Sequence, residues 1–279
     1  MIKIIADSGS TKVDWRVVSL DGTVQQITTT GINPVFLSQQ EICDTLNQLR
    51  AAFEGEVGHI HFYAAGITGA AMEQHMQVCF SQVFPLAVSA ADSDIVAAVR
   101  ALCGNQPGIA CILGTGSNSC FYDGQQIAPD KVPAGGFILG DEGGGAVLGR
   151  KLLSDFIKRQ LPADIDRAFR AKYPDVDMHH IIQKVYREPI PARFLAGFSP
   201  FLNENRNNPH INKLLRTSFA EFFSRNVAQY DYQRYPVNIV GSIAYYYEDM
   251  IVEEAQKQAM TIGKILRAPI DGLLEYHTA

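Results

Sequence analysis

At 279 residues the chain is long enough for two domains or one large one. A net charge of −5, with no Lys/Arg-rich stretch, excludes broad electrostatic capture of nucleic acid. The Met1-Ile2-Lys3 start lacks the features of a secretory leader and no apolar run reaches membrane-spanning length, so a cytoplasmic protein without membrane association is expected.

The chain opens with an apolar run, Ile2-Lys3-Ile4-Ile5-Ala6, leading into the turn Asp7-Ser8-Gly9-Ser10-Thr11. A second strand follows over Val13–Leu20, and Asp21-Gly22 marks a hairpin to a third, Val24–Thr30. This antiparallel meander differs from the βαβ opening of a dinucleotide-binding fold. Gly31-Ile32-Asn33-Pro34 breaks the pattern, after which Ser38 is placed to cap a helical period running to Phe53. His59–Ala65 reads as a short strand, Ala70–Val83 as a helix, Leu86–Ser89 as a strand and Asp94–Leu102 as an Ala-rich helix.

The second half repeats the opening in the same order: strand Ile109–Leu113, turn Gly114-Thr115-Gly116-Ser117-Asn118-Ser119, strand Ser119–Tyr122, hairpin signal Asp123-Gly124 and strand Gln125–Ala128. The pattern predicts a duplication at domain scale. Gly135-Gly136-Phe137 and Gly140-Asp141-Glu142-Gly143-Gly144-Gly145 precede a helix over about Ala146–Gln160. A helical stretch over 162–232 is interrupted by Pro189, Pro191 and Pro200. Val237–Val240 is a buried strand stopped by Gly241-Ser242, followed by a helix over Ile243–Ala255, a late strand over Thr261–Leu266 and a terminal turn or helix from Pro269. The five cysteines form no C-x-x-C pair and lie mostly in apolar surroundings, which favours reduced core thiols over a zinc or iron–sulfur centre.

A strand that ends in small and hydroxyl residues exposes consecutive backbone N–H groups that can wrap an anion without side-chain bulk. Two such turns suggest opposing jaws on one phosphate chain. The hydroxyls of Ser10, Thr11, Thr115 and Ser117 can donate to phosphate oxygens, and Lys12 adds a point charge. Asp7 can hold magnesium through its waters, or merely form an Asx-turn at the strand end.

The ordered set of motifs resembles the actin-like ATPase and sugar-kinase superfamily, and within it the family joining N-acetylglucosamine kinases to the BadF/BadG/BcrA/BcrD-type ATPases. Asp7-Ser8-Gly9-Ser10-Thr11-Lys12 matches the first phosphate motif and Gly114-Thr115-Gly116-Ser117-Asn118-Ser119 the second. Gly140-Asp141-Glu142-Gly143 matches a glycine-flanked acidic pair, Val240-Gly241-Ser242 resembles the adenosine motif, and Pro269-x-Asp271-Gly272-Leu273 is similar to the family's closing segment. The resemblance spans residues 4–273 and implies an α/β, two-lobed actin-like (ribonuclease H-like) ATPase fold, with duplicated mixed β-sheet domains flanked by helices and a nucleotide cleft between. It implies an N-terminal lobe over 1–105 and a C-terminal lobe over 106–265 with a helical insertion, 266–279 being a candidate to pack back on the first.

The resemblance further implies an ATP- and Mg2+-dependent kinase for a small-molecule sugar, with N-acetylglucosamine or a related amino sugar or hexose as acceptor and a homodimer as an open option. Phosphate-binding roles fall on Asp7, Ser8, Gly9, Ser10, Thr11, Lys12, Gly114, Thr115, Gly116 and Ser117, and adenosine-binding roles on Gly241 and Ser242. Asn33, Asn118, Gly136 and Asp141 match sugar-holding positions. The flexible loop gives Asp141 and Glu142 no structural need to be acidic, although Glu142 could simply charge the start of the next helix. Asp94 matches the position of the catalytic base, with Asp92 as the alternative and a plain helix N-cap as the structural reading. Phe137 departs from the family's tryptophan. A regulatory nucleotide switch and a BadF-type activator ATPase are the competing readings; the latter would need a cluster-binding cysteine pair.

Overall fold

The computed structural model of the chain describes every residue except Ser10, so the hydroxyl expected there to meet a phosphate lies outside the described residues. The chain divides into two compact units, Met1–Gly104 with Pro269–Ala279, and Asn105–Ala268.

In the first unit, β1 (Ile2–Ser8), β2 (Lys12–Val18), β3 (Val24–Thr30), β4 (Val57–Ala64) and β5 (Val88–Ser93) form one sheet in the order β3-β2-β1-β4-β5. The opening meander pairs antiparallel, and β4 and β5 add in parallel on the other side of β1. β5 runs four residues beyond the expected strand. Ala-Ala-Asp-Ser has little strand preference of its own, and pairing with β4 imposes the conformation.

Side chains alternate between the two faces of this sheet. One face sends Ile4, Ala6, Trp15, Ile60 and Phe62 into a core with Ile42, Leu46 and Leu49 of α1 (Gln39–Arg50) and Met76, Cys79 and Phe80 of α2 (Ala70–Val83). Ser38 and Glu41 close a capping box at the start of α1. The other face carries α3 (Asp94–Cys103) and the C-terminal helix (Ile270–Thr278).

That closing helix explains the Asp271-Gly272-Leu273 motif. The buried Arg16 guanidinium donates to Asp271 Oδ1 at 2.8 Å. A Cβ on Gly272 would stand 2.7 Å from the Ala101 carbonyl oxygen, so glycine lets the helix approach α3, and Leu273 is fully buried. Farther along, Tyr63 Oη lies 2.6 Å from His277 Nε2 and accepts from Arg100 at 2.6 Å, while the His61 and His277 rings stack at 3.8 Å. Burial, helped by the cations of Lys3 and Arg100, pushes His61 down to about 4 and His277 to about 3, which leaves both imidazoles neutral.

In the second unit, β6 (Gly108–Leu113), β7 (Ser117–Tyr122), β8 (Val237–Val240) and β9 (Ile262–Leu266) form a sheet in the order β7-β6-β8-β9. β6 pairs antiparallel with β7 and parallel with β8, and β8 pairs parallel with β9, repeating the arrangement of β2, β1, β4 and β5. The duplication is therefore present in the topology. The expected strand Gln125–Ala128 is not formed beyond the single bridge Tyr122–Ile127. The Asp123 carboxylate instead accepts from the N–H groups of Gln125 and Gln126 at 2.7 and 2.8 Å, curling the segment into a turn before Pro129.

The helices of this unit are α4 (Gly136–Leu139), α5 (Gly145–Ile157), α6 (Ala163–Lys172), α7 (Met178–Tyr186), α8 (Pro191–Ala196), α9 (Ser199–Glu204), α10 (Pro209–Arg225), α11 (Ser242–Tyr246) and α12 (Glu248–Lys257). Pro191 and Pro200 occupy first-turn positions, where a missing N–H leaves no helical bond unmade. The helices bury Phe169, Phe201, Phe219, Phe222 and Phe223 with Leu148 and Leu152 against Ile109, Cys111 and Ile239 of the sheet. The single helix expected over Ile243–Ala255 is split at Tyr247, whose ring enters this core and whose hydroxyl donates to the Ser199 carbonyl at 2.6 Å. Among the described residues no helix is long and apolar enough to cross a membrane.

Candidate functional site

A transverse row crosses the sheet of the first unit. Thr28, Asp14, Asp7, Tyr63 and Asp92 are successive register partners on β3, β2, β1, β4 and β5, and register partners share a face. The row lies on the face covered by α3 and the C-terminal helix. Asp7 and Asp14 therefore stand directly opposite each other, a like-charge pairing that destabilises a sheet. Lys12 offsets part of the repulsion, its ammonium reaching Asp14 Oδ2 at 2.8 Å and Oδ1 at 2.9 Å. Thr28 Oγ1 donates to the same carboxylate at 3.3 Å.

Asp7 bears the consequence. Burial, then the charges of Asp14 and Asp94, push its carboxyl up to about 7, against the lowering pull of Lys12. Asp94 is thus near enough to act on Asp7. Its expected N-cap position belongs to Ser93, and Asp94 is the first helical residue of α3, where the helix dipole favours a negative charge. Asp92 pairs with Arg100 at 2.7 Å, and Arg100 is also held by Tyr63.

The remaining first-unit candidates divide by exposure. Gly9, Thr11 and Lys12 face solvent, with the Gly9 N–H closing the turn onto the Lys12 carbonyl at 3.0 Å. Ser8 is turned inward: its hydroxyl donates to the Ile32 carbonyl at 2.8 Å and accepts from the Ile32 N–H at 3.0 Å. The hydroxyl proton is therefore committed to the fold, and phosphate donation by that group does not occur in this arrangement. Asn33 Oδ1 accepts from the Val35 N–H at 3.0 Å in an Asx-turn, and glycine at 66 leaves room for that oxygen.

In the second unit, the turn after β6 is gripped from two sides. The Gly145 and Ala146 N–H groups donate to the carbonyls of Gly114 and Thr115 at 2.9 and 2.8 Å. Asp141 Oδ1 accepts from the Ser117 N–H at 3.1 Å, and a Cβ on Gly116 would stand 2.7 Å from Asp141 Oδ2. Asp141 is buried and adopts a left-handed φ of 55°. Glu142 pairs with Arg225 at 2.6 Å and accepts from Asn226 at 3.2 Å. Both acids therefore have structural partners, which corrects the expectation that the loop has no structural need of them.

Asn118 Oδ1 accepts from the adjacent Ser119 N–H at 3.0 Å, while Gly136 begins α4 at a φ of 71°. Phe137 packs against the core of its unit. Ser242 is exposed at the start of α11. Gly241 has a φ of 136°, and a Cβ there would lie 2.2 Å from the Leu113 carbonyl oxygen and 3.1 Å from the Gly114 nitrogen. This glycine lets β8 end flush against the glycine turn. Gly241→Ala is expected to destabilise the protein by about 3 kcal/mol, combining strain with a backbone clash. Thermal melting checks it, and an unchanged Tm would contradict the close approach.

Each unit thus assembles its own set: Asp7, Lys12, Asp14 and Asp94 in the first, and Gly114–Ser117, Asp141 and Gly241 in the second. Asp14 escaped the sequence reading, although strand alternation and the hairpin register would have opposed it to Asp7. Among the described residues no three His, Cys, Asp or Glu side chains converge as a metal cage. The carboxylate oxygens of Asp7 and Asp94 are the hard donors that a magnesium ion keeping most of its waters would take.

No protein-family profile matches the chain, and neither does any curated protein. Solved structures do. A Porphyromonas gingivalis protein, provisionally named an N-acetylglucosamine kinase, is 38% identical with a TM-score of 0.88, the match covering 98% of each chain. A Chromobacterium violaceum protein of the same provisional name has a TM-score of 0.72 at 20% identity, covering 99% of this chain and 98% of that one. A ROK family glucokinase from Streptomyces griseus, solved with glucose and AMPPNP, shares the fold at a TM-score of 0.56 and 13% identity, covering 99% of this chain and 98% of that one. By its duplicated sheets and its identity over nearly its whole length, the chain belongs to the N-acetylglucosamine kinase-like family of the actin-like ATPase and sugar-kinase superfamily.

Proposed function

We propose that the protein is an ATP-dependent sugar kinase that phosphorylates a hydroxyl of N-acetylglucosamine or a related amino sugar or hexose. The observation that supports this reading is that Asp94, at the start of α3, is near enough to Asp7 for its charge to raise that carboxyl, so that one carboxylate would be available for a proton and the other for a cation. The names of the relatives support the same reading: one is provisionally an N-acetylglucosamine kinase, and another was solved with glucose and an ATP analogue.

In the proposed reaction the Asp94 carboxylate accepts the proton of the acceptor hydroxyl as the sugar oxygen attacks the γ-phosphorus. The bond from that phosphorus to the β–γ bridging oxygen breaks, and ADP leaves with the electron pair. Asp7 would hold magnesium through water, where the ion neutralises charge on the phosphates. Lys12, positioned by Asp14, adds a positive charge on the same face. With the Gly9 and Gly114 N–H groups spent on the Lys12 and Gly116 carbonyls, the N–H groups of Thr11, Thr115 and Gly116 would cradle phosphate oxygens, Gly241 and Ser242 would face the adenosine, and Asn33, Asn118, Gly136 and Asp141 would border the sugar.

The test is coupled ADP release from Mg·ATP against N-acetylglucosamine, glucosamine, glucose and N-acetylmuramic acid. A sugar-dependent rate supports the kinase and identifies its acceptor class. ATP binding with turnover indifferent to every sugar would overturn it in favour of a nucleotide switch.

A further inference from the structure

A cavity of about 350 Å³ opens between α5 and α10 in the second unit. Lys151, Ser154 and Asp155 line it from α5, and His210, Lys213 and Thr217 from α10. Spacings of three, four and seven residues put each trio on one stripe of its helix, and the two stripes border the same space. A volume of this size accommodates a small metabolite.

These polar groups are unevenly committed. His210 Nε2 lies 2.8 Å from Asp155 Oδ2, so the one carboxylate among the six side chains is already engaged. The Lys151 ammonium donates to Ser218 Oγ at 2.9 Å and to Glu221 Oε2 at 2.7 Å, leaving one of its three N–H groups. Among the described residues the Lys213 ammonium and the hydroxyls of Ser154 and Thr217 make no hydrogen bond or ion pair. An uncompensated cation, a spare ammonium N–H and two unspent hydroxyls together match an anion with several acceptor oxygens, as a phosphate has. The glycine turn is a different place. Gly145 and Ala146 grip the Gly114 and Thr115 carbonyls at the start of α5, and Lys151 and Asp155 follow roughly 9–15 Å farther along its axis. A phosphate group at that turn therefore cannot also occupy the cavity.

We propose that the cavity between α5 and α10 is a second anion site, which binds a phosphate monoester of hexose size. The choice of a sugar phosphate rests on the kinase reading, of which it is the product class; the anion site itself does not. A merely solvated helix face would give no saturable response local to His210.

The experiment titrates glucosamine 6-phosphate and inorganic phosphate into the full chain and follows the histidine imidazole signals by NMR. The His210 signal is assigned by its loss in His210→Gln. It should shift saturably in wild type, at lower concentration for the sugar phosphate than for inorganic phosphate. Lys213→Ala should weaken that binding by about tenfold or more, the scale of one hydrogen bond to a charged group, and Lys213→Arg should retain it. Neither variant should change sugar-dependent turnover measured before product accumulates. A His210 signal that stays in place at millimolar ligand, or that responds equally in Lys213→Ala, would overturn the site while leaving the kinase reading intact. Inorganic phosphate binding as tightly as the sugar phosphate would overturn the hexose-sized ligand in favour of the bare ion. A saturable His210 shift in a chain without sugar-dependent turnover would uphold the anion site and strike the kinase reading alone.

Discussion

Replacing Asp94 with asparagine is expected to lower sugar-dependent ATP turnover by about 10²–10⁴-fold, the range that one general base supplies, while the protein stays folded. Asparagine keeps the shape of the side chain and removes its ability to accept the acceptor proton. The first helical position does favour a negative charge, but by only about 0.3–1 kcal/mol. That loss is opposed by relief of the repulsion with Asp7. The matched control is Asp92→Asn. It takes the carboxylate from Arg100, a part-exposed pair worth about 1 kcal/mol or less, and should leave turnover within a few-fold. Rates of both variants under saturating ATP, with melting curves alongside, decide the assignment. A larger rate loss in Asp92→Asn would transfer the role of base to that residue.

The sequence was most legible where local chemistry and tertiary structure agree. The Asp21-Gly22 hairpin, the Ser38 cap and the repeated strand-turn-strand order all appear in the fold. It was less legible where pairing or packing overrides preference. Val88–Ser93 is a strand because β4 pairs with it, and Tyr247 breaks a helix because its ring belongs to the core. At the candidate site, the motif residues were visible but their partners were not. Ser8 looks like a phosphate ligand until Ile32 is seen to take its hydroxyl, and Asp141 looks free of any structural duty until Ser117 is seen to donate to it. Asp14 illustrates the remaining gap. A carboxylate in an ordinary strand gains meaning only from register, which sets it against Asp7 and within reach of Lys12.

The same register makes Asp7→Asn informative, because stability and activity should move in opposite directions. The Asp7 carboxyl is held at about 7 in the folded chain against an ordinary value of 3.8. Between those limits the folded chain keeps a proton that the unfolded chain has released. Stability therefore falls as pH rises from about 4 to about 7 and is flat above. At about 1.4 kcal/mol per pH unit the fall amounts to no more than ~4 kcal/mol, less whatever the cluster recovers by relaxing. Asparagine cannot ionise, so in the absence of metal the variant should be more stable than wild type at pH 8 and equal to it at pH 4. His61 and His277 work with the opposite sign, losing stability as pH falls below about 6.5, but both proteins carry them and the difference cancels their effect. Mg·ATP should raise the wild-type Tm at pH 8 more than that of the variant, whose turnover should be lost. Melting curves at pH 4, 6 and 8, with and without Mg·ATP, test this. A gain of equal size at every pH would assign the effect to packing and remove the case for Asp7 as a strained, cation-seeking carboxylate.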